Sequence, residues 1–394
     1  MVLVDNGGFF PEDDLHEDAA WFLMDAMKMI GTDAVGVGER ELRFGYQRVH
    51  ERAAKDQLPM VCANLMLKKT HQPAFDPSLV KTFGTVKVGF FGLISDKGDL
   101  GPAHDSLEAQ DPTVTAKRTV EDLKKKGATV IVLLSQLGKV ETEDLISTMD
   151  GVDVAIAGRN VPLVQKGRQI KNTTVVYGGE QGQYMGRTMV TLDETRHAKS
   201  SDNEMFILGP EVGEKKEVAA LVQAFEDKFN EKLRVAEKEQ AAKQQATATQ
   251  DAPDHYVGSE VCGRCHSAEL AQWQTTAHAK AWQTLVDKKK DAMPDCVPCH
   301  VVGYNKAGGF VNAISTPKMV NVQCEACHGM GTSHEAFAMK PMKVAESTCV
   351  TCHTSSNSPT FNFETYEPHI LHHFTGKMPP LPPKPASAGM GGGQ

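Results

Sequence analysis

Eight of the nine cysteines fall into one repeated pattern between residues 262 and 353. The copies are Cys262-Gly-Arg-Cys265-His266, Cys296-Val-Pro-Cys299-His300, Cys324-Glu-Ala-Cys327-His328 and Cys349-Val-Thr-Cys352-His353. Two thiols three residues apart can add to the two vinyl groups of one haem, and the histidine that follows reaches the iron from the proximal face. Zinc sites and dithiol redox centres also use closely spaced cysteines, but neither needs a histidine directly after the second one. Four complete copies therefore point to four covalently bound haem c groups. Each iron then has a sixth position. Two imidazoles close it and suit electron transfer, whereas an open iron admits a small molecule.

Ten of the fifteen histidines lie from His255 onward. Beyond the four motif histidines, this region offers His255, His278, His334, His369, His372 and His373. His278 and His334 are the first candidates for sixth ligands, followed by His255 and His372. His369 and His373 read as bystanders, since neighbours on one turn cannot all reach iron. About 125 residues holding four haems leave little apolar side chain for each. The porphyrins themselves must then form the core, close enough together to pass electrons along a chain.

The stretch Cys262–Leu285 (CGRCHSAELAQWQTTAHAKAWQTL), then DCVPCHVVGY, then VQCEACHGMGTSHE, resembles the cytochrome c-554/c-prime family of tetrahaem proteins. The Trp273-x-x-x-x-His278-Ala segment and the Cys-Glu-Ala-Cys-His-Gly run carry the likeness. The resemblance implies axial ligation by His278 and His334, and electron transfer in a respiratory chain. Redox partners would be other cytochromes or a terminal reductase. It also implies three bis-histidine irons and sometimes one five-coordinate iron. After the fourth motif the sequence departs from the family, and the remaining ligand is carried over to His372 within Phe361–His373.

The elements that must position these groups differ between the two halves of the 394 residues. Hydrophobic residues make up 40% of the chain, enough to bury a core, and the formal charge of −8 excludes a wholly basic nucleic-acid binder. Runs rich in β-formers at Met1–Val4, Ala34–Val37, Pro59–Asn64, Val86–Ile94, Thr129–Leu134, Val152–Ala157 and Thr173–Tyr177 alternate with amphipathic stretches such as Leu15–Met29 and Thr115–Lys126. That alternation predicts an α/β layered sandwich over residues 1–212. A helical linker over 213–252 follows. Its Val218, Val222, Phe225 and Phe229 share one face, expected to dock on the first domain, and Gln244–Pro253 reads as a loose connection. Residues 253–378 form a mainly α, haem-packed cytochrome domain, and the Pro/Gly-rich 379–394 a disordered tail. No apolar run is long enough to span a membrane. Cys62 reads as a small buried residue, Gly36-Val-Gly38 lacks the spacing of a dinucleotide site, and Lys288–Lys290 reads as solvated surface or a docking patch.

The first 210 residues resemble the metallophosphoesterase domain of secreted 5′-nucleotidases. The likeness rests on Val2–Phe10 (VLVDNGGFF), Ile30–Gly45 (IGTDAVGVGERELRFG), Leu133–Gly138 (LLSQLG) and Val152–Val161 (VDVAIAGRNV), in the family's order. That family's chemistry needs two metals held by Asp, Asn and His. The corresponding positions here are Gly8, Glu39, Arg40, Gln136, Arg159 and Val161. Guanidinium groups repel a dication, so this half reads as an inactive scaffold, with Arg40 and Arg159 either holding an anion or paired to Glu39 or Glu41. Three functions follow in order: an electron carrier, a haem enzyme reducing a small inorganic substrate at an open iron, and an active nucleotidase with an accessory cytochrome. Haem attachment to such motifs takes place outside the bacterial cytoplasm, so a periplasmic or extracellular location is expected. The chain opens inside its first strand, which predicts a native precursor with a preceding strand and a signal peptide.

Overall fold

The computed structural model describes residues 1–14, 16–162, 164–178, 182, 184–209, 212–244, 254–335, 344–354, 357–372 and 376–381. The chain divides into two compact units that meet within one helix, at Leu221 and Val222. The loose connection at 245–253, His373 and the tail from 382 onward lie outside the described residues.

The N-terminal unit opens with β1 (Val4–Asp5), α1 (Glu17–Ile30), β2 (Ala34–Gly36), α2 (Tyr46–Asp56) and β3 (Met60–Val61). Strands β1, β2 and β3 form a small parallel sheet in that order. There follow β4 (Leu65–Leu67), β5 (Leu79–Phe83), β6 (Val86–Ile94), β7 (Leu107–Ala109), α3 (Pro112–Lys125), β8 (Val130–Gln136), α4 (Lys139–Thr148), β9 (Val154–Ala157), β10 (Val164–Ile170) and β11 (Thr173–Tyr177). The main sheet has the order β10-β11-β9-β8-β6-β5, with β6, β8, β9 and β11 parallel and an antiparallel strand at each edge. Strands β6 and β8 are buried along most of their length, as near-continuous apolar runs in a parallel sheet should be. Helix α3 starts where Asp111 accepts the Val114 amide at 2.8 Å and Pro112 presets the first turn. Its apolar face covers Phe91, Leu93 and Leu133. Gly36 is required by packing, because a Cβ there would lie 2.3 Å from the Asn6 carbonyl oxygen.

The long hairpin β12 (Tyr184–Leu192) and β13 (Ala198–Ile207) closes the unit. It was not expected from sequence: both strands are largely exposed and carry mixed polar residues, so no clean alternation marks them. The fold is otherwise the layered α/β arrangement expected.

Helix α5 (Lys216–Gln244) leads into the C-terminal unit. Phe225, Phe229 and Leu233 pack with Ala292 and Met293 of that unit. Asp227 pairs with Lys289 at 3.0 Å, Glu226 with Lys290 at 3.2 Å and Arg234 with Asp291 at 2.6 Å. The expectation that the Phe225–Phe229 face serves the first domain is thus corrected. A 3.6-residue stripe announces that a helix face is buried but not against what. The same pairs engage Lys289 and Lys290 within the unit.

The rest of the C-terminal unit consists of short helices: α6 (Ser259–Cys262), α7 (Ser267–Gln274), α8 (Ala281–Asp287), α9 (Cys324–His328), α10 (Thr332–Glu335), α11 (Glu346–Cys349) and α12 (Phe363–Tyr366). Its largest side-chain core is the small group around Leu285, Val297, Val301, Val302, Phe310 and Met319. No helix among the described residues is long and apolar enough to cross a membrane.

Candidate functional site

Each motif forms a single helical turn. The His266 amide donates to the Cys262 carbonyl and the His353 amide to the Cys349 carbonyl, both at 2.9 Å; the His300 amide donates to the Val297 carbonyl at the same distance, and α9 spans the third motif. One turn brings residues i, i+3 and i+4 to one side, so both sulfurs and the imidazole share a face. No two of the nine cysteines are joined by a disulfide. Cys62 is fully buried in the N-terminal unit, which pushes its thiol up to about 12 and leaves it inert.

The histidines come together in pairs. The ring of His266 lies 6.2 Å from that of His334, that of His353 lies 6.2 Å from that of His278, and that of His328 lies 6.3 Å from that of His372. Two imidazoles bound to one metal through bonds of about 2 Å put their ring centres roughly 6 Å apart. Among the described residues no group of three or more His, Cys, Asp and Glu is arranged to hold a bare metal ion. An iron that brings four porphyrin nitrogens of its own needs only two protein ligands, so imidazoles paired at this spacing suit haem better than zinc. Burial lowers the affinity of His278 and His353 for protons, and for His278 the neighbouring His353 and His300 add to it. Neutral imidazole is the form that binds iron.

His300 differs. Its Nδ1 donates to the Ala281 carbonyl at 2.7 Å, with Thr284 Oγ1 at 3.4 Å, which fixes the tautomer and leaves Nε2 as the nitrogen able to bind a metal. Among the described residues no second histidine ring is stacked against it. His255 is held through its backbone, donating from N–H to Thr332 Oγ1 at 2.9 Å and accepting from the same hydroxyl at its carbonyl. His369 Nε2 donates to the Pro379 carbonyl at 2.9 Å.

The motifs also have an order in space. Cys262 of the first lies beside Cys324 of the third, and Cys299 of the second beside Cys352 of the fourth. Cys327 of the third motif is pushed up to about 11 by burial first, then by Cys349 and Cys352 of the fourth. The spatial sequence is therefore first, third, fourth, second.

In the N-terminal unit the polar side chains at the positions corresponding to the metal ligands are engaged by other protein groups. Arg159 pairs with Glu39 at 3.0 Å, and Arg40 with Glu12. Gln136 Nε2 donates to the carbonyls of Asn6 and Gly7 at 2.9 and 3.1 Å. Val161 is buried. Glu41, fully buried, accepts the amides of Gly8, Phe9, Phe10 and Gly38 at 2.9, 2.9, 3.3 and 2.7 Å. The ion pair, rather than an anion held between two arginines, is what the side chains form.

Residues 261–329 match the family described as cytochrome c554 and c-prime. The C-terminal unit carries that family's pattern. Cytochrome c-554 of Nitrosomonas europaea is 38% identical over 96 residues, which are 21% of this chain and 40% of that protein. The N-terminal unit has separate relatives. A 2′,3′-cyclic-nucleotide 2′-phosphodiesterase/3′-nucleotidase of Salmonella typhimurium is 31% identical over 161 residues, 35% of this chain and 24% of that protein. The calcineurin-like phosphoesterase YfkN of Bacillus subtilis superposes with a TM-score of 0.52 at 19% identity, covering 58% of this chain and 83% of that one. The chain thus spans less than half the length of these two curated relatives, and the structural likeness establishes a phosphoesterase fold.

The cytochrome c554 match covers the first three motifs and both His278 and the segment before His334. Sequence reasoning singled out every histidine that now stands in a pair, but not which motif each one faces. The hydrogen-bond partners of the rings, Ala281 for His300, Ser358 for His353 and Gln272 for His372, carried no sequence signal.

Proposed function

We propose that the chain is an exported tetrahaem c-type electron carrier whose phosphoesterase-like unit no longer performs two-metal hydrolysis. The cysteines of the four motifs would hold four haem c groups, with His266, His300, His328 and His353 as proximal ligands. His334, His372 and His278 would close the first, third and fourth irons. The observation that carries this reading is the set of three imidazole pairs at 6.2, 6.2 and 6.3 Å. Haems bound this way supply one-electron transfer between neighbouring irons. The contacts between motifs support an order of first, third, fourth and second, with the two ends available to redox partner proteins. His300 is proposed to hold an iron with an open sixth position.

The open position at His300 also supports a second reading, reduction of a small inorganic molecule at that iron. Electron paramagnetic resonance and carbon monoxide titration of the holoprotein test both. Three low-spin haems and one high-spin haem that binds one carbon monoxide per chain are expected. Four low-spin haems without carbon monoxide binding would remove the second reading and the assignment of His300 to an open iron.

A further inference from the structure

Glu325 lies between the two cysteines of the third motif and is 4% exposed. Its carboxylate is engaged by three backbone amides. Val257 N lies 3.0 Å from both oxygens, Gly258 N donates to Oε2 at 2.7 Å and Gly331 N donates to Oε1 at 2.7 Å. Both oxygens act purely as acceptors, as those of an ionised carboxylate do. Gly258 directly precedes α6, the helix that delivers Cys262. Next to it, the Ser259 amide donates to Gln323 Oε1 at 2.7 Å, so residues 323 and 325 grip the segment leading into the first motif. Because 323 and 325 flank Cys324 while 257–259 lead into Cys262, this grip sits at the junction of the first and third motifs. A Cβ at Gly331 would sit tightly, 3.0 Å from Val257 Cγ2 and 3.2 Å from Glu325 Oε1.

Tethering a segment needs only a hydrogen-bond acceptor, which a neutral glutamine supplies in part. A buried full charge does something further. In a low-dielectric interior it favours the more positive state of any redox centre beside it, and haem potentials respond to nearby charge and burial. We infer that Glu325 is a positioning residue with a redox role: it locks the first and third haems together and, through its fixed negative charge, lowers the potentials of both. The inference rests on the tetrahaem reading.

The test compares Glu325→Gln, which removes the charge, with Glu325→Asp, which keeps it on a shorter stem. Intact mass is read first, so that a failure of the tetrahaem reading is recognised separately. In spectropotentiometric titrations of proteins carrying four haems, Glu325→Gln should raise two of the four potentials. The expected shift is about tenfold in the one-electron equilibrium, or 59 mV. Glu325→Asp should move them less than threefold. His334→Met and His372→Met, measured in the same way, identify which two waves belong to the first and third haems. Equal shifts in both Glu325 variants, shifts in the other two haems, or no shift at all would overturn the inference. Should Glu325→Gln fail to retain four haems, redox-difference infrared spectra of the unaltered protein and Glu325→Asp decide it. An ionised carboxylate band that responds to reduction of the first and third haems and moves in Glu325→Asp supports the role. Absence of such a band overturns it.

Discussion

Replacing His278 by alanine tests the pairing of imidazoles most sharply. The His278 ring lies 6.2 Å from that of His353, against which Phe361 is stacked at 4.5 Å, while Ser358 Oγ lies 3.0 Å from its Nδ1. The proximal side of the fourth haem is therefore held independently and should survive the substitution. The backbone at residue 278 keeps its bond from the Val322 amide at 3.2 Å, so the local turn should persist as well. Loss of one ligand then takes the number of low-spin haems from three to two, and the high-spin fraction from about a quarter to about a half of the total. Carbon monoxide bound per reduced chain should rise from one to two equivalents. Added imidazole should enter the vacated space and restore the low-spin spectrum. Magnetic resonance and carbon monoxide titration read these numbers directly. An unchanged high-spin fraction, or loss of ligation at the second haem instead of the fourth, would refute the assignment of His278 to His353.

Other expectations follow from the same geometry. Gln272→Ala removes the acceptor 2.9 Å from His372 Nδ1 and should make that imidazole a poorer donor, raising the potential of the third haem alone in a redox titration. Phe229→Ala empties a buried site shared with Leu233 and Ala292; it should cost about 3–5 kcal/mol in denaturant unfolding of the C-terminal unit and leave the N-terminal unit's transition in place. Phosphatase assays on nucleotide monoesters with added manganese should give no metal-dependent turnover, since the Arg159 guanidinium lies 3.0 Å from Glu39, where it repels a dication. Manganese-dependent turnover that Glu39→Ala abolishes would contradict the proposed loss of hydrolysis. His334→Met should raise the potential of one haem only, because a thioether is a weaker donor to ferric iron than imidazole.

Much of this was legible in the sequence for definite reasons. The Cys-x-x-Cys-His spacing is fixed by the geometry of one helical turn, so it can be read without any tertiary information. The buried parallel strands β6 and β8 are equally legible, because burial on both faces leaves an apolar run that few other elements imitate. The partners of the histidines were less so. His278 follows the first motif by a dozen residues yet faces the fourth, and nothing local encodes a contact made across the fold. The face of α5 illustrates the same limit: Phe225 and Phe229 announced burial, while the lysines and Asp291 that decide against what lie some sixty residues away. The fate of the phosphoesterase ligand positions was half visible. Arg40 and Arg159 argued against a dication, but only the structure shows Arg159 turned onto Glu39 and Glu41 closing on the amides of Gly8 to Phe10 and Gly38.

The central claim is that four haems are attached to one chain, one at each motif. Intact mass spectrometry of the purified holoprotein after acid–acetone extraction measures it directly, because extraction removes any haem that is not covalently bound. The account predicts a chain heavier than its amino-acid mass by four haems, with tryptic haem peptides containing Cys262–Cys265, Cys296–Cys299, Cys324–Cys327 and Cys349–Cys352. A chain retaining three haems or fewer, or any of these cysteine pairs recovered as free thiols from the fully loaded protein, would contradict it.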